Sequence, residues 1–277
     1  MKITSTANPR VKAAAKLRNP RQRAAQGRFM INGVREIGRA LDGGMKLQEV
    51  FVCLEQCDGA ECQRLLRRLE KTAAVQFEVS PAVYSVLAYG SREEGVLAVA
   101  ETPQRNLNDL WLPDNPLVAV LEGVEKPGNL GAVLRSADGA GVSAVIVAGG
   151  GVDLYNPNAI RASLGAIFTL PVVAASSEET IAWLRTQNLK IFAARVDGAV
   201  NYTTCDFTGP CAVVLGSEAA GLSDAWWSDS KRGDSRPGDS IRGDITAIRL
   251  PMCGAADSLN VSAAAAVLFY EALRQRR

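Results

Sequence analysis

Histidine is absent from all 277 residues. That excludes a Ser-His-Asp triad, a Cys-His pair and any His-ligated metal, and leaves acid–base work to Arg, Lys, Asp, Glu, Tyr or Cys. Long apolar runs are missing too: none approaches the ~18–20 residues that a membrane span needs. The amino-terminal stretch has basic residues but no apolar core, so the expectation is a cytoplasmic protein without a secretory signal or membrane partner. The six cysteines include no paired C-x2-C. Cys53, Cys57 and Cys62 form a C-x3-C-x4-C run unlike the common zinc sites, and Cys205, Cys211 and Cys253 are scattered. Free, mostly buried thiols and no metal are expected. The usual nucleotide motifs are lacking as well. There is no G-x-x-x-x-G-K-[ST], and Gly149-Gly150-Gly151 follows a strand without the G-x-G-x-x-G register.

Acidic residues are absent from Met1 to Arg28, where Lys2, Arg10, Lys12, Lys16, Arg18, Arg21, Arg23 and Arg28 stand. The net charge of the chain is only +2, so the imbalance is local. Such a cluster is either a solvated basic face or a surface that attracts a polyanion in a salt-dependent way.

The first hundred residues alternate between helix and strand patterns. Residues 8–25 read as short basic helices broken at Pro20, and 27–31 as a strand. Val34–Leu41 reads as a helix stopped by Gly43-Gly44, Leu47–Leu54 as a strand and Ala60–Lys71 as an amphipathic helix. Val75–Val79 and Gly95–Ala100 are further strands. This is a small α/β domain, expected over residues 1–102. The proline- and asparagine-rich stretch 103–115 reads as a linker. From 116 to 277 the strand candidates are Leu117–Leu121, Ala144–Ala148, Phe168–Val173, Leu189–Ala194, Ala212–Leu215 and Thr246–Leu250. The helix candidates are Leu130–Ala140, Pro157–Ala166, Ser177–Thr186 and Leu259–Arg276. The alternation predicts a mostly parallel sheet with helices on both faces. Trp226–Asp244, with its repeated Arg-Gly-Asp, reads as a mobile polar insert.

Three clusters in the second half could carry chemistry. In the first, a Pro-Gly turn leads into a helix that Asn129 could cap, with Arg135 farther along. In the second, a buried strand delivers the Gly-flanked loop Leu215-Gly216-Ser217-Glu218, and glycine permits close approach of backbone to a ligand. The third runs from Leu250-Pro251-Met252 to Ser258-Leu259-Asn260-Val261-Ser262 and an alanine-rich helix.

In this order and spacing, the clusters resemble the motifs of the SpoU/TrmH class of SPOUT RNA 2'-O-ribose methyltransferases. The carrying residues are Asn129-x-Gly131-x-x-x-Arg135, Leu215-Gly216-Ser217-Glu218-x-x-Gly221-Leu222, and Leu250-Pro251-Met252 with Ser258-Leu259-Asn260-Val261-Ser262. Tyr155-Asn156-Pro157 through Arg161–Ala166 also matches. The first hundred residues resemble a ribosomal-protein-like substrate-recognition domain, through 8–12 and 27–33, with Asn32 where family members often have Glu.

The resemblance implies a trefoil knot in a catalytic domain spanning 116–277, an obligate homodimer, and S-adenosylmethionine as methyl donor. It implies catalytic roles for Arg135, Asn129, Glu218, Ser258 and Asn260. Leu215, Gly216, Glu218, Leu250, Met252 and Leu259 would contact the donor. Arg10, Lys12, Arg18, Arg21, Arg23 and Arg28 would contact RNA, with ribosomal RNA as the favoured substrate. A tRNA substrate, or an RNA-binding protein without catalysis, is the alternative.

Overall fold

The computed structural model describes every residue except 90–93, 151–152, 199, 218, 227–240 and 243–244, and the backbone alone at Ile241 and Arg242. Most of the insert expected at 226–244 therefore lies outside the described residues; Trp226, at its start, is buried. In chain order the elements are β1 (Lys2–Ile3), α1 (Pro9–Lys16), α2 (Pro20–Gln26), β2 (Arg28–Asn32), α3 (Val34–Asp42), β3 (Leu47–Val52), α4 (Ala60–Leu69), β4 (Val75–Val79), α5 (Pro81–Leu87) and β5 (Val96–Glu101). They continue with β6 (Leu117–Glu122), α6 (Pro127–Ala140), β7 (Ala144–Ala148), α7 (Pro157–Ala162), α8 (Ala166–Thr169), β8 (Val172–Ala175), α9 (Ser177–Thr186) and β9 (Lys190–Ala194). The last are β10 (Val200–Asn201), β11 (Cys211–Leu215), β12 (Ile241–Arg242), β13 (Ile245–Arg249) and α10 (Val261–Gln275). No helix among the described residues is long and apolar enough to cross a membrane.

The chain forms two compact units. One is Met1–Gln104 with Asp153–Thr169, the other Arg105–Val152 with Leu170–Arg277. The segment carrying α7 and α8, placed with the second half by its sequence, thus packs into the first unit.

In the first unit five strands lie in the order β1-β4-β3-β5-β2. α1 and α5 pack Val11, Ala14, Val83 and Leu87 onto Phe51, Phe77, Leu97 and Val99 of the sheet. The two basic helices begin the same way. Asn8 accepts a hydrogen bond from the Arg10 amide and Asn19 from the Arg21 amide, both at 2.9 Å, each with proline at the first helical turn. α2 stops at Gly27, whose φ of +59° is left-handed. α5 was not anticipated; Ser80 caps it and Pro81 opens it.

Two sequence expectations fail here. Cys57 and Cys62 are disulfide-bonded instead of free. The helix that starts at Ala60 folds Cys62 back to a Cα–Cα distance of 5.6 Å from Cys57, within disulfide reach. The strand expected at Phe168–Val173 begins only at Val172, because α8 occupies the residues before it. Phe168 belongs to an aromatic stack with Phe29 and Tyr155 rather than to a sheet. A turn through Leu164 and Gly165, both at positive φ, separates α7 from α8.

The second unit holds a sheet in the order β10-β13-β9-β11-β6-β7-β8, parallel throughout, with β12 antiparallel on β13. Its central strands are apolar at nearly every position because both faces are covered. Val118, Val120, Ile146, Ala212 and Val214 point to one core with Ile181, Trp183 and Leu184 of α9. Their neighbours Ala119, Leu121, Val145, Val213 and Leu215, equally buried, face the other side by strand alternation. There α10 packs on α6 and β11. A capping box between Ser176 and Glu179 starts α9.

Phe269 of α10 is fully buried in this layer. Phe269→Ala is expected to destabilise the protein by about 3–5 kcal/mol, read as a lower midpoint in denaturant unfolding. A loss under about 1 kcal/mol would mean that α10 is not anchored through this ring.

Candidate active site

Because the main strands of the second unit run parallel, their carboxyl ends meet along one edge, where open α/β sheets bind ligands. A cavity of about 750 Å³ opens there. Its walls come from Ala194–Asp197 after β9, from Leu215–Ser217 and Ala219–Leu222 after β11, and from Arg249–Met252 after β13. Asp257, Ser258, Leu259, Val261 and Ala264, around the start of α10, close it.

The middle wall is a backbone hairpin. The Ser217 amide donates to the Gly221 carbonyl at 3.1 Å, and the Gly221 amide donates to the Ser217 carbonyl at 3.0 Å. Ser217 Oγ accepts from the Ala220 amide at 3.0 Å. A Cβ on Gly216 would overlap the backbone of Gly221 and lie 2.5 Å from the Leu222 nitrogen. Glycine is required there by close approach of two backbones. The outer wall is fastened in the same manner. Arg195 N donates to the Ile248 carbonyl at 2.8 Å, and a Cβ on Gly198 would come within 2.6 Å of that carbonyl carbon.

The sequence motifs meet this cavity unevenly. Leu215, Gly216, Leu250, Met252, Ser258 and Leu259 all line it. Asn129, Arg135 and Asn260 do not. Asn260 instead caps α10, accepting from the Ser262 amide at 2.9 Å and the Ser262 hydroxyl at 2.6 Å. Its own amide donates to Asn129 Oδ1 at 3.4 Å, which joins the first motif to the third. Asn129 does not cap α6 as expected. Lys126 is the cap residue and Pro127 the first helical position, which puts Asn129 inside the first turn. Arg135 is exposed, farther along α6. Glu218 lies outside the described residues.

Two features were missed in the sequence. Arg195 and Asp197 form a forked ion pair at 2.8 and 3.2 Å on the cavity wall. The guanidinium hydrogen bonds hold the Asp197 carboxyl below its ordinary value. The other is Glu122, at the end of β6. Its carboxylate is buried and accepts from Ser177 Oγ, from the Ser223 amide at 2.6 Å and from Ser223 Oγ at 2.7 Å. It ties α9 and the chain after the Gly221 hairpin to β6. A lone acid ending an otherwise apolar strand was the available signal.

Of the basic residues assigned to RNA, Lys12, Arg18 and Arg21 are exposed around α1 and α2. Arg10 and Arg28 share Glu49. Arg23 is a correction: it is buried, pairs with Asp153 and donates to the Leu17 and Arg18 carbonyls. Burying a cation without partners is costly, so these bonds make Arg23 the support of the α1–α2 corner and not a phosphate contact.

Residues 116–232 match the SpoU rRNA methylase family, and 8–98 match the MRM3-like substrate binding domain. The 23S rRNA (uridine(2479)-2'-O)-methyltransferase of Streptomyces viridochromogenes is 31% identical over 272 residues, covering 95% of this chain and 88% of that one. The chain belongs to the SpoU methylase family. Among solved structures, an RNA 2'-O ribose methyltransferase is 43% identical with a TM-score of 0.81, over 100% of this chain and 99% of that one. The AdoMet-bound rRNA methyltransferase from Sinorhizobium meliloti is 27% identical with a TM-score of 0.84, over 99% and 97%. This SpoU chain therefore shares its fold with those proteins over nearly their whole length, and residues of the second and third motifs line its cavity together with Ala194–Asp197.

Glu122 makes the site region sensitive to acid. Burial opposes its ionisation most strongly, but the bonds from Ser177 and Ser223 outweigh burial and hold its carboxyl below the usual value. A depressed folded pKa stabilises the fold above the unfolded pKa, and that stabilisation is lost as pH falls through the folded value. Glu122→Gln is expected to be less stable than the parent at pH 7 and to approach it below about pH 4. A gap in unfolding midpoint that stays constant from pH 7 to pH 3 would contradict this.

Proposed function

We propose that this chain methylates a ribose 2'-hydroxyl of ribosomal RNA with S-adenosylmethionine as donor, acting as a cytoplasmic homodimer. The observation that carries the reading is the glycine-seamed cavity at the carboxyl ends of β9, β11 and β13, into which the second and third motifs converge. Its volume is in the range of small-ligand sites, roughly 300–1,000 Å³. Gly216 lets the hairpin close against the end of β11, and Leu215, Leu250, Met252 and Leu259 offer apolar contacts for a nucleoside. The residues thus fit the donor. The names of the relatives, and the match of residues 8–98 to a substrate binding domain, favour rRNA.

When bound, the donor supplies an electrophilic methyl, so the protein must orient the ribose oxygen and favour loss of its proton. Arg135 is assigned the central part. A guanidinium is normally protonated, so Arg135 stabilises negative charge developing on the 2'-oxygen and holds a neighbouring phosphate. The Asn260–Asn129 pair and Ser258 position the ribose at the start of α10. Glu218, outside the described residues, keeps the orienting role given by its motif.

The dimer reading rests on two observations. Arg135 is exposed and does not line the cavity of its own chain. Leu259, Val267 and Tyr270, on or beside α10, are exposed apolar residues that a partner subunit would cover. The passage of the chain from β11 across β9 to β13 fits a knotted carboxyl-terminal unit.

The test uses labelled donor and ribosomal RNA lacking the modification, with nucleoside analysis of the product. Label is expected as a 2'-O-methyl nucleotide in rRNA. Arg135→Ala is expected to lower kcat by about 10²–10³-fold while binding the donor as the parent does. A base-methylated product, or transfer at the parental rate by Arg135→Ala, would overturn the assignment.

A further inference from the structure

A small niche in the first unit is formed by Met30 and Asn32 of β2, Tyr89, and Pro157, Ile160 and Arg161 of α7. At about 10 Å³ it admits little more than one water-sized group, so its rim matters more than its depth. Tyr89 is held from two sides. Its carbonyl accepts from the Asn32 amide at 3.4 Å, and its hydroxyl accepts from Asn158 Nδ2 at 3.1 Å. Asn158 is itself fixed in the first turn of α7, where its backbone amide donates to Asn156 Oδ1 at 2.9 Å. On the other side of Asn32, the Tyr84 hydroxyl donates to Asn32 Oδ1 at 3.4 Å.

Tyr89 is thus half-buried, with its backbone carbonyl and its ring hydroxyl both anchored. Beside it, Arg161 is exposed at the end of α7 and has no ion pair with another described residue. The turn that follows is strained, with Leu164 at φ +54°, a conformation that bulky residues seldom adopt. A pre-oriented aromatic face next to an uncommitted guanidinium matches the two generic features of a nucleotide. A base stacks on the ring, and a phosphate takes the fork of the arginine.

We propose that Tyr89 and Arg161 form a subsite for one unpaired nucleotide of the RNA, with the base stacked on Tyr89 and the adjoining phosphate bound by Arg161. The group that enters the niche beside Asn32 is then an edge substituent of that base. This rests on the RNA-methylating reading, but it concerns substrate affinity and not the methyl transfer step.

The experiment measures equilibrium binding of a single-stranded 23S rRNA fragment to the full-length protein over a range of salt concentrations, without methyl donor. Tyr89→Ala is expected to weaken binding about 10-fold or more, because stacking on an aromatic side chain is lost. Tyr89→Phe, which keeps the ring, should stay within about 3-fold of the parent. Arg161→Gln should lower the salt dependence by about one counterion. In steady-state assays KM for RNA should rise with little change in kcat, and donor affinity should not move. Arg161 is exposed, so its variant tests the idea even if a Tyr89 variant misfolds. Parental affinity and salt slope in Arg161→Gln would overturn the subsite and leave the enzymatic reading intact. Failure of the unaltered protein to bind any rRNA fragment would overturn both.

Discussion

The site depends on the absence of one side chain. Where β11 ends, Gly216 lies so close to Gly221 and Leu222 that no Cβ fits between the two backbones. This contact closes the Ser217–Gly221 hairpin against the strand end and makes the cavity wall a backbone surface. The neighbouring walls follow from it. Leu222 and Ser223 are placed by the hairpin, and Ser223 in turn gives two hydrogen bonds to buried Glu122 at the end of β6. A ligand there meets peptide groups and apolar side chains held by a parallel sheet, which is a more rigid support than a surface loop.

That arrangement suits a chain without histidine. Histidine is the side chain that ordinarily shuttles protons near neutral pH, and this chain has none. What the region offers is fixed charge and fixed geometry: an exposed arginine on α6, an asparagine pair joining α6 to α10, and the Arg195–Asp197 fork on the wall. Positioning and electrostatic stabilisation supply catalysis when the reactive carbon belongs to the cosubstrate. The first unit adds cationic residues around α1 and α2, where sequence-independent affinity for RNA would arise.

Much of this was legible in the residues because local and tertiary signals agree. The apolar run Leu117–Leu121 could be satisfied only by burial on both faces, and it is an interior strand, between β11 and β7. Pro20 marked the break between two short basic helices, and in the structure each starts at an Asn-Pro pair, by side-chain capping and proline's fixed φ. The second and third motifs were visible as glycine and apolar patterns, and Leu215, Gly216, Leu250, Met252, Ser258 and Leu259 from them line the cavity. Failures came where distant contacts outweigh local pattern. Phe168 reads as strand from its neighbours, yet an aromatic stack with Phe29 and Tyr155 holds it in a helical turn. Arg23 reads as one more exposed cation in a basic stretch, yet Asp153, 130 residues away in sequence, draws it into the interior. Asn129 reads as a cap, but Pro127 starts the helix earlier. The Cys57–Cys62 bond required knowing that α4 turns its first residues back toward the preceding loop.

The most direct test of the account is a calorimetric titration of S-adenosylmethionine into the folded protein and into Gly216→Ala. Saturable binding by the parent, weakened at least about 10-fold when the hairpin is pushed from the strand end, is the predicted result. A folded parent protein that shows no saturable binding, or a Gly216→Ala variant that binds equally well, would contradict the claim that the glycine-seamed cavity is the donor site.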